Sequence, residues 1–212
     1  MAHGEPVTGR PGWRQVLFLA DRRAFAPAAV ALAWLLLAMW PSLTPLLRYE
    51  RDALLAGQWW RGLSAHLVHL DAGHALLNAG GLLLLWTLFG GLLGARQWLA
   101  TVLCSLLAVD LGLWWLQPQV QWYVGASGVL HGVMAAGCLA LLRTGDRAAM
   151  PAVLLFTAKL AWERWQGPLP FESPAQVVPA AHLYGAFGGL LAAAPGVRAA
   201  ILRRRKPEVS HR

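Results

Sequence analysis

The chain has 212 residues, 57% hydrophobic and only 13% charged, where an ordinary soluble domain carries about 25% charged residues. With 12 Trp and a mean hydropathy of +0.47, this is the composition of a polytopic membrane protein, whose lipid-facing residues need no charge. The net charge of +8 and pI of 10.7 do not imply a nucleic-acid partner, because the basic residues crowd the two ends and two short loops, which is a topology signal.

Residues 1–23 are polar and basic and read as a cytoplasmic tail, without the pattern of a cleaved signal peptide. Six apolar stretches follow, each close to the roughly 20 residues that cross a bilayer. The first spans about 26–47, with Pro41 and Pro45 near its end, and residues 48–66 form a polar-aromatic connection whose Trp59 and Trp60 suit the headgroup region. The second, about 70–92, carries His74 and Asn78 among leucines and ends before Arg96. The third, about 97–116, includes Asp110 and is followed by the uncharged loop Gln117–Tyr123. The fourth, about 126–142, begins in Gly125-Ala126-Ser127-Gly128 and ends at Arg143, Asp146 and Arg147. The fifth, about 149–166, holds Lys159, Glu163 and Arg164, of which the first two can pair at i,i+4 while the third snorkels outward. Prolines 168, 170 and 174 make 167–178 a loop, the sixth stretch runs about 179–196, and 197–212 form a basic cytoplasmic tail. Cys104 and Cys138 fall inside apolar runs and read as small core residues. No internal repeat divides the chain into transporter-like halves.

Charge asymmetry orients these stretches. The tails and the connections after stretches two and four carry most of the arginines, whereas the opposite loops carry only Arg48, Arg51 and Arg61. Six spans with both termini in the cytoplasm satisfy this, and they put the Ser127 end of the fourth near the outer surface.

Ionisable or amide side chains in hydrocarbon are costly, so each is a functional candidate. His74 and Asn78 are four apart and share one helix face. His182 opens the sixth stretch at the same expected depth as Ser127. Gly185 and Gly189, and likewise Gly128 and Gly132, are spaced to let two helices approach closely. Such helices can bring a serine hydroxyl within reach of an imidazole, the arrangement of an activated nucleophile. His182 would then be the base, and the Ser127 N–H with the His74 and Asn78 side chains would bind an oxyanion. No carboxylate lies near His182 in sequence, so the expected unit is a dyad. Taken singly, each group has a bland reading: an N-cap serine, interhelical glue for His74 and Asn78, an interfacial histidine at 182.

The pattern resembles the rhomboid intramembrane serine proteases along all six stretches. The resemblance rests on Gly-x-Ser-Gly at Gly125, Ser127 and Gly128, on His-x4-His-x3-Asn at His69, His74 and Asn78, and on Ala-His-x2-Gly-x3-Gly at Ala181, His182, Gly185 and Gly189. It implies an all-α membrane protein, a six-transmembrane-helix bundle over 24–196, with Ser127 and His182 catalytic, with Ser127, His74 and Asn78 at the oxyanion, and with His69 structural, tying the first loop to the helix. His66 and the loop tryptophans read the same way. Where many rhomboids place a tyrosine, this chain has His131, either a packing replacement or a residue that stacks on or bonds to His182 and tunes it. That feature and the surrounding Tyr123–Gly132 and His182–Gly185 segments resemble the rhombosortase branch. The resemblance then implies substrates with a C-terminal Gly-Gly, transmembrane helix and basic tail, cut near the Gly-Gly, with transfer to a lipid-derived amine as an alternative to hydrolysis. It also implies a bacterial inner-membrane location, an active site opening to the periplasmic side, membrane lipids as surroundings, and no cofactor or metal.

Two other classes compete. A metal or haem protein would use His66, His69, His74, His131 and His182, but the spacing of the first three is not a strong metal pattern. A catalytically dead helix-binding relative is the other.

Overall fold

The computed structural model describes residues 25–145, 147, 150–169 and 177–194. The tails expected at 1–23 and 197–212 lie outside these, as do Glu172 and most of the proline loop at 167–178.

Helix α1 (Phe25–Leu37) is shorter than the first expected span. The chain bends by 91° between Phe25–Leu37 and Pro41–Leu47, passing through a 3-10 turn at Pro41–Leu43 into α2 (Thr44–Leu47). The first apolar stretch is thus a bent pair of helices, and the prolines explain why. A proline offers no N–H to the helix ladder and drives the residue before it out of the α region, and Trp40 stands at ψ 74°.

The polar-aromatic connection folds into β1 (Tyr49–Glu50), α3 (Arg51–Leu55) and α4 (Trp60–Ser64). Helix α5 (Ala72–Phe89) is capped by Asp71, whose carboxylate accepts the His74 N–H at 2.7 Å. Helix α6 (Ala95–Leu116) leads to β2 (Trp122–Tyr123) and then α7 (Ser127–Thr144). Gly145 closes α7 at φ 74°, a left-handed cap that favours glycine. Helices α8 (Met150–Gln166) and α9 (Pro179–Ala193) complete the described chain, the latter with proline at its first position. Three helices, Ala72–Phe89, Ala95–Leu116 and Ser127–Thr144, are long and apolar enough to cross a membrane, or four spans if the bent pair counts as one. Leu77 and Leu155 are 76% and 73% exposed, which water would penalise and lipid does not.

Helix α9 lies against both α6 and α7, and glycines set the spacing. A Cβ at Gly185 would meet the Gly128 carbonyl oxygen, and one at Gly189 that of Gly132, so only hydrogen fits. On the other side α1 places Ala31 and Trp34 against Ala79 and Leu82 of α5.

The connection between α2 and α5 is pinned rather than loose. β1 pairs antiparallel with β2, Tyr49 opposite Tyr123 and Glu50 opposite Trp122. Arg51 donates to the carbonyls of Leu113, Trp114 and Gln117, satisfying the C-terminal end of α6. The buried Arg61 donates to the carbonyls of Pro45 and Arg48, and His66 Nε2 lies 3.1 Å from Asp110 Oδ1. That pair ties the connection to α6.

Candidate active site

Ser127 is the first residue of α7, and Ala126 holds the cap position without a side-chain bond. The N-cap reading of the serine therefore does not hold. Its Oγ instead lies 3.0 Å from His182 Nε2. The segment before it is set by Tyr123, whose hydroxyl donates to the Gly125 carbonyl at 2.9 Å, and by the Gly125 N–H, which donates to the Ala65 carbonyl at 2.9 Å. Gly125 stands at φ 105°, beyond the reach of ordinary side chains. A Cβ there would also come within 2.9 Å of His74 Nε2.

His182, in the first turn of α9, is 3% exposed. Its Nδ1 is 3.0 Å from both carboxylate oxygens of Glu163. A carboxylate only accepts, so Nδ1 carries the hydrogen and Nε2 is left to accept from the Ser127 hydroxyl. This is the carboxylate that sequence reading did not find: 19 residues from His182, on another helix, and already assigned a partner in Lys159 at i,i+4. That pairing is present too, Lys159 Nζ lying 2.5 Å from Glu163 Oε1. Arg164 is exposed, as expected of a snorkelling side chain.

His131 lies one turn below Ser127. Its ring stacks on that of His182, centroids 3.9 Å apart and planes 9° off parallel. Its Nδ1 donates to the Ser127 carbonyl at 2.7 Å, and its Nε2 accepts from Lys159 Nζ at 3.0 Å. Stacking on His182 is common to both readings of this residue, and its hydrogen bonds go to Ser127 and Lys159 rather than to His182.

His74 and Asn78 are buried on one face of α5, with Asn78 Nδ2 donating to the His74 carbonyl at 3.0 Å. Both line a cavity of about 420 Å³, walled by α5, α7 and α8 and floored by Ser127, His131, Lys159 and His182. Among the described residues, His74 Nδ1 and Asn78 Oδ1 are buried without a hydrogen-bond partner. His69 stands outside this cavity, its ring edge-on to Trp34 and His74, and its backbone carbonyl accepts from Thr44 Oγ1 at 3.3 Å. Burial, with His74 beside it, pushes the His69 imidazole down to about 3, so it stays neutral. It joins the turn after α1 to the start of α5 through packing and its carbonyl rather than through ring hydrogen bonds.

Among the described residues His131, Glu163 and His182 offer ligand atoms within 4.8 Å of one another, enough to hold a metal ion. The Lys159 ammonium contacts two of those atoms, so a cation of the chain's own already occupies their shared side. The broader histidine site that a haem or metal protein would need is not assembled: His66 is bound to Asp110 and His69 to the aromatic cluster.

A serine hydroxyl bonded to a buried imidazole, at the head of two close-packed apolar helices and beside a largely apolar cavity, defines a class: apolar helical bundles that pair a serine with a histidine. Residues 56–199 match the Rhomboid domain family model, 144 of the chain's 212 residues. The chain belongs to the rhomboid family, which consists of multi-pass membrane proteins of the intramembrane serine protease type. No curated protein matches the chain.

Proposed function

We propose that the protein is an intramembrane endopeptidase in which Ser127 is the nucleophile and His182 the general base. The observation that carries this is the 3.0 Å contact between Ser127 Oγ and His182 Nε2 inside a rhomboid domain. Ser127 Oγ attacks the scissile carbonyl carbon as its proton passes to His182 Nε2. Collapse of the tetrahedral intermediate breaks the C–N bond, and that proton moves to the leaving nitrogen. Water then attacks the acyl-serine, giving a proton to Nε2, and cleavage of the C–Oγ bond returns it to Ser127. The first-turn N–H groups of α7 lack intrahelical acceptors and sit at the positive end of the helix. With His74 and Asn78 on the facing wall, they supply donors for the oxyanion.

In the membrane the protein takes six spans, with α8, α9 and the bent α1–α2 segment joining the three long helices. Arg143 Nη2 donates to the Ala193 carbonyl at 2.9 Å, holding the C-terminal ends of α7 and α9 together. Arg96, in the first turn of α6, and Arg147, after α7, belong to that same end, opposite Ser127 and His182. The positive-inside rule makes it the cytoplasmic end and turns the site towards the periplasmic face of a bacterial inner membrane.

The substrate class follows from the rhombosortase resemblance. A transmembrane protein ending in Gly-Gly, a helix and a basic tail would lay its helix along the apolar cavity wall, formed by Leu77, Leu84 and Phe156. It would present the flexible Gly-Gly to Ser127, with the basic tail at the cytoplasmic end. The acyl group then passes to water or to a lipid-derived amine. General rhomboid cleavage of other membrane proteins is the second reading, and a non-enzymatic helix-binding role is disfavoured by the intact Ser127–His182 contact. Co-expression with such a substrate, with Ser127→Ala as control, tests this. Mass spectrometry of the new C-terminus locates the cut and any attached amine. An uncut Gly-Gly substrate, alongside cleavage of an unrelated membrane segment, would refute the sorting reading alone.

A further inference from the structure

We propose that Glu163, held by its half-buried counter-ion Lys159, is the positioning carboxylate of His182, so that the site works as a charge-balanced triad rather than a bare dyad. This rests on the protease reading above.

The geometry is complete. Side-chain exposure is 1% for Glu163 and 4% for His182, and both carboxylate oxygens lie 3.0 Å from Nδ1. That contact fixes the tautomer whose Nε2 can take the Ser127 proton, and it orients the ring. The Nδ1–H stays on His182 throughout the reaction, and the carboxylate faces the positive charge that the imidazolium gains while Nε2 holds the serine's proton.

A carboxylate at this position raises an electrostatic problem. In the resting site His182 Nε2 is taken up by the Ser127 hydroxyl, and a lone buried carboxylate within the bilayer costs several kcal/mol. Lys159 removes that cost: its ammonium lies 2.5 Å from Glu163 Oε1. A second contact of Lys159, to His131 Nε2 at 3.0 Å, ties the ammonium to the ring that stacks beneath His182. The bonds close into a loop running from Ser127 Oγ through His182, Glu163, Lys159 and His131 back to the Ser127 carbonyl. Every link has one donor and one acceptor. This also accounts for two charged residues in what is otherwise a membrane helix. The remaining titratable groups around His182 are engaged elsewhere or sit across the cavity. His74 faces it from α5, Asp110 on α6 is bonded to His66, and Tyr184 on α9 accepts from Gln117 at 2.8 Å.

The test uses the full chain in detergent as wild type, Ser127→Ala, Glu163→Gln, Glu163→Asp, Lys159→Met and the Glu163→Gln/Lys159→Met double variant. The rate of fluorophosphonate labelling is followed against pH, with thermal unfolding as the folding control. Glu163→Gln should slow labelling on the order of 10²–10⁴-fold, since neutralising the carboxylate of a Ser-His-Asp triad costs about 10⁴ in kcat. Glu163→Asp should recover part of that rate. Lys159→Met should also slow labelling, because Glu163 loses the ion pair that holds its carboxylate against His182. The double variant should be no slower than Glu163→Gln alone, as expected of residues acting as one unit. Glu163→Gln labelled at the wild-type rate with an unchanged profile would overturn the inference, as would effects that multiply in the double variant. Should Glu163→Gln unfold, the Lys159→Met rate decides: labelling at the wild-type rate overturns the proposal. A wild type that takes no Ser127-dependent label would remove the protease reading and this inference with it.

Discussion

Substituting Gly185 by alanine separates the packing of the site from its chemistry. The added Cβ would meet the Gly128 carbonyl oxygen and lie 3.2 Å from Gly128 Cα, whereas ordinary contact begins at 3.4 Å. Both groups are helical backbone, with no flexible side chain to yield, so α7 and α9 must part by roughly 1 Å, on the scale of the shifts that overpacking forces. His182 is one turn away on α9, and its 3.0 Å bond to Ser127 would stretch to about 4 Å, no longer a hydrogen bond. Misplacement of about 1 Å costs on the order of 10²-fold in rate, and overpacking costs about 1–3 kcal/mol in stability. Gly80→Ala is the matched control: the same change on an exposed face of α5, where a Cβ meets nothing within 4 Å. It should leave labelling unchanged and stability equal or higher by about 0.5–1 kcal/mol. Fluorophosphonate labelling rates and thermal unfolding in detergent measure both. Gly185→Ala labelled as fast as Gly80→Ala would refute the claim that this glycine contact sets the Ser–His distance.

Further variants probe the neighbouring groups. His131→Phe keeps a ring beneath His182 but loses the bonds to Lys159 and to the Ser127 carbonyl, so kcat should fall by about 10-fold with KM little changed. An unaltered rate and pH profile would reduce His131 to packing. His74→Ala with Asn78→Ala removes the side-chain donors of the cavity wall and should lower kcat by about 10²–10³-fold. Steady-state cleavage of a transmembrane substrate checks this, and a loss confined to KM would contradict an oxyanion role. Arg61→Met strips the carbonyls of Pro45 and Arg48 of a buried donor and should destabilise the outer connection by about 2–4 kcal/mol, read as faster proteolysis between residues 48 and 66.

Hydropathy located the long helices well, because a lipid environment leaves little else for such segments to be. Ser127 and His182 were legible for a different reason: each carries glycines at four-residue spacing, and that spacing is itself the instruction for close helix approach. Pro41 and Pro45 mark the end of the first stretch, but apolar content alone does not show that its helix stops at Leu37 and the chain turns by 91°. The β1–β2 pairing involves two residues per strand, too few for any periodicity to announce. Glu163 was missed because its i,i+4 lysine offered a sufficient local explanation. What a local pair cannot reveal is that a second partner arrives from a helix 19 residues away. A useful signal was present nonetheless, since a surface pair can sit anywhere, whereas a lysine–glutamate pair inside a membrane segment is costly and needs a reason.

That cost bears on how the site stays both rigid and open. Three of its sides are fixed: α9 is locked against α6 and α7 by backbone contact, β1 and β2 hold the segment leading to Ser127, and Arg51 ties that connection to the end of α6. The fourth side is the cavity between α5 and α8, walled largely by apolar side chains. Helix α8 is therefore the least constrained helix around the site, yet Glu163 and Lys159 sit on it. Its bonds to His182 and His131 are contacts that draw it towards the fixed core. If α8 swings outward to admit a substrate helix, those bonds lengthen and the imidazole loses its orientation; when it returns, they re-form around the bound peptide. On that motion, a positioning carboxylate carried by α8 would couple closure of the cavity to activation of Ser127. A disulfide-free crosslink between α5 and α8 that holds the cavity shut should then preserve labelling by a small fluorophosphonate while abolishing cleavage of a transmembrane substrate. Loss of both activities together would show that α8 must move for chemistry as well as for entry.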